Sequence, residues 1–238
     1  MVMSDSLVET VAKVKPSVVG IGVYSPMATI SNRLDGSGFV VGNGKYVVTN
    51  EHVISAELEE GIKSTRVVFV PNGRQTKVIP IDKVMTDAEH DIAILAIGET
   101  LPALSLRPRA EVIPDGKKIA LTGFPIGAVL GLFPATHSGI VAAYTPNIRP
   151  AQHSTQITQQ FMTRLQQPFM IYQLDVTAYP GNSGSAVYLE DSGEVFAVIN
   201  KVFVKTTKES AISDPSGITY AIPVEHVYAL AEANGIDL

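Results

Sequence analysis

A serine flanked by glycines, Pro180-Gly181-Asn182-Ser183-Gly184, is the sharpest chemical feature of the sequence. Glycines let a backbone turn so tightly that neighbouring N–H groups converge on one point, the geometry that holds a developing oxyanion. Taken alone, the segment reads equally well as a Gly/Ser turn between strands. A serine hydroxyl is a weak nucleophile at neutral pH, so it needs a base, usually histidine, and a third group to fix the tautomer of that base. Of the five histidines, His52 follows the apolar run Val47-Val48-Thr49, where a strand end can present a side chain to a cleft. Asp91 opens Asp91-Ile92-Ala93-Ile94-Leu95-Ala96-Ile97, an acid at the mouth of an apolar strand. Singly, His52 reads as a turn histidine and Asp91 as a strand-end cap. Together they give the chain order His, Asp, Ser, the reverse of the order that accompanies a nucleophile elbow, and Ser185 stands where an elbow has its last glycine. The chemistry implied is acyl transfer, with Ser183 as nucleophile, His52 as general base and Asp91 as its orienting acid.

Such residues need a scaffold of short strands. Val18–Val23, Gly38–Val41 and Tyr46–Thr49 are β-branched or aromatic runs bounded by turn residues, and Gly42-Asn43-Gly44 predicts a tight hairpin between the last two. Further strands are predicted at 66–70, 77–81, 91–97, 118–122, 139–144, 172–176, 185–189, 194–200 and 219–222, and the resulting dozen of short strands points to an all-β sandwich or barrel architecture. The mixed-charge, proline-containing stretch from Ser105 to Gly116 divides the strands into two similar groups. Two small barrels therefore fit better than one sheet, with an N-terminal unit over 1–104 carrying His52 and Asp91 and a C-terminal unit over 105–238 carrying Ser183. Spacing predicts a short helix from Ser6 to Lys15, stopped by Pro16, and a last helix that opens at Pro223 and is capped at Asn234-Gly235. The Gln-rich segment from Pro146 to Pro168 reads as a long surface loop, and no internal repeat stands out.

Bulk properties narrow the function. With 45% hydrophobic and 17% charged residues over 238 positions the chain can build a sizeable core. A net charge of −5 without any Lys/Arg block argues against nucleic acid as a partner. The absence of cysteine excludes thiol catalysis, Cys-ligated zinc and disulfides, but leaves the compartment open. No apolar run approaches the roughly 18 residues of a membrane span, and the first fifteen positions lack a signal-peptide core. Export would therefore require a trimmed N-terminus; otherwise the protein is cytoplasmic. Gly36-Ser37-Gly38 lacks the third glycine and following helix of a nucleotide loop and reads as the opening of a strand. Neither Glu89-His90-Asp91 nor Glu225-His226 has the spacing of a zinc site, so no metal or other cofactor is expected, and His137 and His153 read as surface or loop residues.

The chain resembles the protease domain of the HtrA/Deg family within the trypsin-like superfamily. The resemblance is carried by Pro16-Ser17-Val18-Val19, Gly36-Ser37-Gly38-Phe39-Val40, Tyr46 to Val53, His90 to Leu95, Gly139-Ile140-Val141, Pro180 to Gly184 and Gly217 to Pro223, in the family's order. It departs from the family at Ser185-Ala186, where Gly-Pro is usual, and no PDZ domain follows before Leu238. The resemblance implies two six-stranded antiparallel Greek-key β-barrels, a triad of His52, Asp91 and Ser183, and an oxyanion hole built from the Gly181 and Ser183 amides with Asn182 between them. It implies a serine endopeptidase acting on unfolded or misfolded polypeptides, a homotrimer, and a periplasmic or other extracytoplasmic location if a signal peptide has been removed. The alternative is a non-catalytic peptide-binding module on the same fold. By position, Thr177, Ala178 and Tyr179 before the nucleophile and Ile199, Asn200 and Lys201 after it should line the first specificity pocket, favouring a small aliphatic side chain.

Overall fold

A computed structural model describes residues 6–27, 32–55, 64–73, 75–109, 111–125, 132–147, 168–202 and 217–238. Twelve strands form two closed barrels. The first comprises β1 (Val18–Tyr24), β2 (Asn32–Val41), β3 (Tyr46–Thr49), β4 (Thr65–Asn72), β5 (Gln75–Asp87) and β6 (Ile92–Ile97). The second comprises β7 (Lys118–Gly123), β8 (Ala135–Pro146), β9 (Met170–Asp175), β10 (Ala186–Leu189), β11 (Val195–Val202) and β12 (Ile218–Pro223). Both follow the same circuit: β1-β2-β3-β6-β5-β4 closed by β1 on β4, and β7-β8-β9-β12-β11-β10 closed by β7 on β10. All these pairings are antiparallel, and the order is the expected Greek key.

Strand pleating explains why the runs are apolar at every position. In β6, Ala93 and Leu95 point into the first barrel with Val19, Val47, Val68 and Ile79, whereas Ile92 and Ile94 point out into a second cluster with Phe39, Val48, Tyr188 and Val198. That outer cluster is the seam between the barrels, so both faces of the inner strands are buried. A third cluster around Leu121, Leu174, Val187 and Phe196 fills the second barrel. The seam also receives Val14 from α1 (Ser6–Val14) and Val227, Leu230 and Ala231 from the C-terminal helix, α3 (Glu225–Ala233).

Several boundaries differ from expectation. Pro223 does not open the last helix; it ends β12 and pairs with Ala197, and the helix starts at Glu225. β5 runs to Asp87, because its distal half pairs with the whole of β6 across a bulge between Ile81 and Lys83. A five-residue helix, α2 (Glu51–Ser55), follows β3 where the sequence suggested only a strand end. Of the predicted Pro146–Pro168 loop, residues 148–167 lie outside the described residues, as does His153.

Candidate active site

The candidate base His52 and its candidate orienting acid Asp91 are brought together by strand register. Thr49, the last residue of β3, pairs with Ala93 near the start of β6, so the segment leaving β3 passes directly over the turn entering β6. His52 sits in the first turn of α2, and Asp91 lies just before β6 rather than inside it. Asp91 Oδ2 accepts from His52 Nδ1 at 2.7 Å, and Oδ1 accepts the His52 backbone N–H at 2.9 Å. The backbone donor is one that a helix start leaves without an internal partner, so a single carboxylate both caps α2 and grips the imidazole. Asn50 Nδ2 donates to the Asp91 carbonyl at 3.0 Å from a fully buried position, closing the loop from the other side.

Asp91 has φ 55°, alone among the described non-glycine residues in having positive φ. Aspartate tolerates this left-handed conformation better than most side chains, and here its three accepted hydrogen bonds hold it. An ionised carboxylate only accepts, so the Nδ1 of His52 carries the proton and Nε2 is left with its lone pair. The side chains of His52 and Asp91 remain 27% and 20% exposed, so the imidazole is accessible from solvent.

Ser183 sits on the turn that leads into β10. Gly181 has φ 100° and Gly184 φ 84°, conformations that other residues rarely adopt. A Cβ on Gly184 would also collide with the Ser37 carbonyl oxygen and the Thr49 hydroxyl. The Asn182 N–H donates to Tyr179 O at 3.0 Å, the Gly184 N–H to Ile199 O at 2.9 Å and the Ser185 N–H to Asn182 O at 3.0 Å. Among the described residues the N–H groups of Gly181 and Ser183 make no backbone hydrogen bond, so of the three residues expected in the oxyanion hole these two have free donors. The same residues give no hydrogen bond between the Ser183 hydroxyl and His52, a contact that is often long before substrate binds.

Ser37, expected only to open a strand, lies across the barrel seam against this turn. Its hydroxyl donates to Gly181 O at 2.7 Å and accepts the Phe124 N–H at 2.9 Å. Its N–H donates to Ser183 O at 2.8 Å, and its carbonyl accepts from Thr49 Oγ1 at 2.7 Å. Asn182 and Ser185 are fully buried beside it, and among the described residues their side-chain polar atoms have no hydrogen-bond partner.

The segments named for the specificity pocket are tied to β12 through Val176 and to the serine turn through Ile199. Thr219 Oγ1 donates to Val176 O at 2.7 Å, the Val176 N–H donates to Gly217 O at 3.1 Å, and the Ile199 N–H donates to Ser185 O at 2.9 Å. Ala178 and Ile199 are buried, Thr177, Tyr179 and Asn200 are half-buried, and the Lys201 side chain lies outside the described residues. His137 is not a loop residue: it lies in β8, its ring centroid is 5.8 Å from that of Tyr179, and burial lowers its pKa.

A second histidine cluster abuts Asp91. His90 Nδ1 lies 2.6 Å from Asp87 Oδ2, and the His90 ring stacks on His226 of α3 at 3.8 Å, with Phe169 edge-on to both. Burial pushes His226 down to about 4, helped by His90 and opposed by Asp87. Burial alone would raise the Asp87 carboxyl, but its hydrogen bonds from the His90 side chain and backbone, with that of the Glu89 N–H, hold it below the usual range.

A histidine–aspartate pair on one Greek-key barrel, facing a serine on a glycine turn of the other, is the layout of the double-barrel serine peptidases. The chain belongs to the trypsin-like peptidase domain family, whose sequence model matches residues 36–198. It is 28% identical over 198 residues to the "Probable periplasmic serine endoprotease DegP-like" of Halomonas elongata, covering 83% of this chain and 34% of that protein. The similarly named protein of Pseudomonas putida strain W619 is 26% identical over 191 residues, covering 80% and 32%. The chain thus spans about a third of the length of these curated relatives. Among solved structures, the HtrA-type protease AlgW with tripeptide superposes with a TM-score of 0.67 at 22% identity, covering 95% of this chain and 62% of that one. The Rv3671c protease from M. tuberculosis in its active form gives 0.65 at 19% identity, covering 96% and 85%. These likenesses bear out the HtrA-type resemblance and the two-barrel fold. No helix among the described residues is long and apolar enough to cross a membrane.

Proposed function

We propose that the chain is a serine endopeptidase of the HtrA type, cleaving peptide bonds of unfolded or misfolded polypeptides through an acyl-enzyme on Ser183. The observation that carries this reading is the 2.7 Å contact of Asp91 with His52 Nδ1, opposite a serine turn with two uncommitted N–H donors. Substrate seated in the cleft brings the Ser183 hydroxyl onto His52 Nε2, which takes the proton as oxygen attacks the scissile carbonyl. The Gly181 and Ser183 amides receive the oxyanion, His52 returns the proton to the leaving amine, and water repeats the sequence to release the acyl group. Asp91 stays ionised throughout and stabilises the imidazolium. The pocket formed by Thr177, Ala178, Tyr179, Ile199 and Asn200 selects a small aliphatic side chain. The names of the relatives support a compartment outside the cytoplasm, and their designation as endoproteases weighs against a purely peptide-binding role.

A fluorophosphonate probe should label Ser183 in the wild type and not in Ser183→Ala, and casein cleavage should disappear with it. Labelling or cleavage that survives the substitution overturns the assignment.

A further inference from the structure

Building on the Ser183 reading, we propose that Ser37 is a positioning residue for the reaction: it straps the oxyanion turn to the first barrel and keeps the Gly181 and Ser183 amides aimed at the substrate. Ser37 lies 144 residues from Gly181 in sequence, and its own polar groups contact that turn at both ends. The hydroxyl takes the Gly181 carbonyl at 2.7 Å, and the backbone N–H takes the Ser183 carbonyl at 2.8 Å.

A hydroxyl has one proton to give. The Phe124 N–H, at 2.9 Å, occupies a lone pair of the Ser37 oxygen, which directs the single proton onto Gly181 O. That carbonyl and the Asn182 N–H are two ends of one peptide plane, and the Asn182 N–H is held by Tyr179 O at 3.0 Å. The plane is therefore pinned at both ends. The donors of the oxyanion hole belong to the planes on either side of it, and Gly181, at φ 100°, is the joint about which they would otherwise turn. At the other end, the Ser37 carbonyl receives Thr49 Oγ1 at 2.7 Å, three residues before the base. One fully buried serine thus joins the nucleophile turn to the strand that delivers His52.

A merely structural Ser37 would change how much enzyme folds; a positioning one changes how well each folded molecule stabilises the tetrahedral state. The test compares Ser37→Ala and Ser37→Cys with Tyr188→Phe, which loses a buried 2.8 Å hydrogen bond to Thr122 in the seam core without touching the turn. Fluorophosphonate labelling taken to completion counts intact sites, so kcat can be expressed per labelled site. Removing one oxyanion donor outright costs about 100-fold or more, so loosening the pair should lower kcat per site about 10- to 100-fold in Ser37→Ala, with KM within about threefold. Affinity for a peptide boronate, a mimic of the tetrahedral state, should fall by a similar factor. Ser37→Cys, which keeps the shape and a weak donor, should lie between, and carries the comparison alone if the alanine variant does not fold. Tyr188→Phe should keep its kcat per site. Unchanged kcat per site and boronate affinity in the Ser37 variants, or losses matched by Tyr188→Phe, overturn the proposal while Ser183 labelling stands. A wild type that never labels at Ser183 overturns the underlying reading as well.

Discussion

Acidifying the protein from about pH 7.5 to about pH 4, in the wild type and in His226→Phe, tests how the C-terminal helix is fastened to the site. His226 is stacked between the His90 ring at 3.8 Å and the edge of Phe169 at 5.4 Å, and only 13% of its side chain is exposed. Among the described residues its Nε2 is buried without a hydrogen bond; the Glu225 Oε1 carboxylate oxygen is 3.6 Å away, too far to be one. Folding therefore favours the neutral ring, and burial lowers the pKa from 6.5 to about 4. Between those values the unfolded chain binds the proton that the folded chain refuses, so stability is complete above about pH 6.5 and is lost as pH falls towards about 4. At about 1.4 kcal/mol per tenfold, the gap between 6.5 and about 4 sets an upper bound of about 3 kcal/mol, and because the ring keeps some contact with solvent the expected loss is about 2 kcal/mol. Phenylalanine keeps the ring stack and removes the titration. Urea unfolding followed by circular dichroism should show wild-type stability falling about 2 kcal/mol further than that of His226→Phe over this range. Curves that stay parallel within about 0.5 kcal/mol would refute the reasoning.

Two further outcomes bear on the chemistry. Asp91→Asn cannot accept both His52 donors and favours the wrong tautomer, so kcat should fall about 10,000-fold, as in the trypsin-like template, with KM little changed; a loss below about tenfold on a peptide substrate would remove Asp91 from its role. A peptide-library cleavage profile should show a small aliphatic residue before the cut bond, and a preference there for Arg or Lys would refute the pocket reading.

How far the sequence discloses this molecule depends on the range of the interactions involved. The strands were legible because each needs only its own β-branched residues and turn boundaries, and the order His52, Asp91, Ser183 was legible because it is a property of the chain. The short helix α2 was not: its first turn depends on Asp91, which accepts the His52 N–H from 39 residues away. The conformation of Asp91 was hidden for the same reason, since no glycine announces its φ of 55°. Pro223 misled because a proline at a helix start and a proline at the end of a strand look alike until the Ala197 pairing is known. The identical circuit of the two barrels left no repeat in the sequence, because a barrel requires apolar residues at its inner positions without requiring the same ones.

Ser37 shows where this limit falls on function. Gly36-Ser37-Gly38 supplies a strand with small residues, and nothing local distinguishes the serine from a spacer. Its meaning comes from what the seam brings against it: the hydroxyl meets Gly181 and Phe124, the amide meets Ser183, and the carbonyl meets Thr49. A serine hydroxyl left unpaired in a dry seam costs about 1–3 kcal/mol, a cost that Ser37 avoids because the opposite barrel offers a carbonyl in register. The carbonyl it offers is Gly181 O, in the turn whose flanking amides hold the proposed oxyanion. Because the proposed base arrives from one barrel and the proposed nucleophile from the other, the reaction proposed here requires accurate docking of the two, and a satisfied polar contact at the seam specifies that docking in a way that apolar packing between Phe39, Val48 and Tyr188 does not.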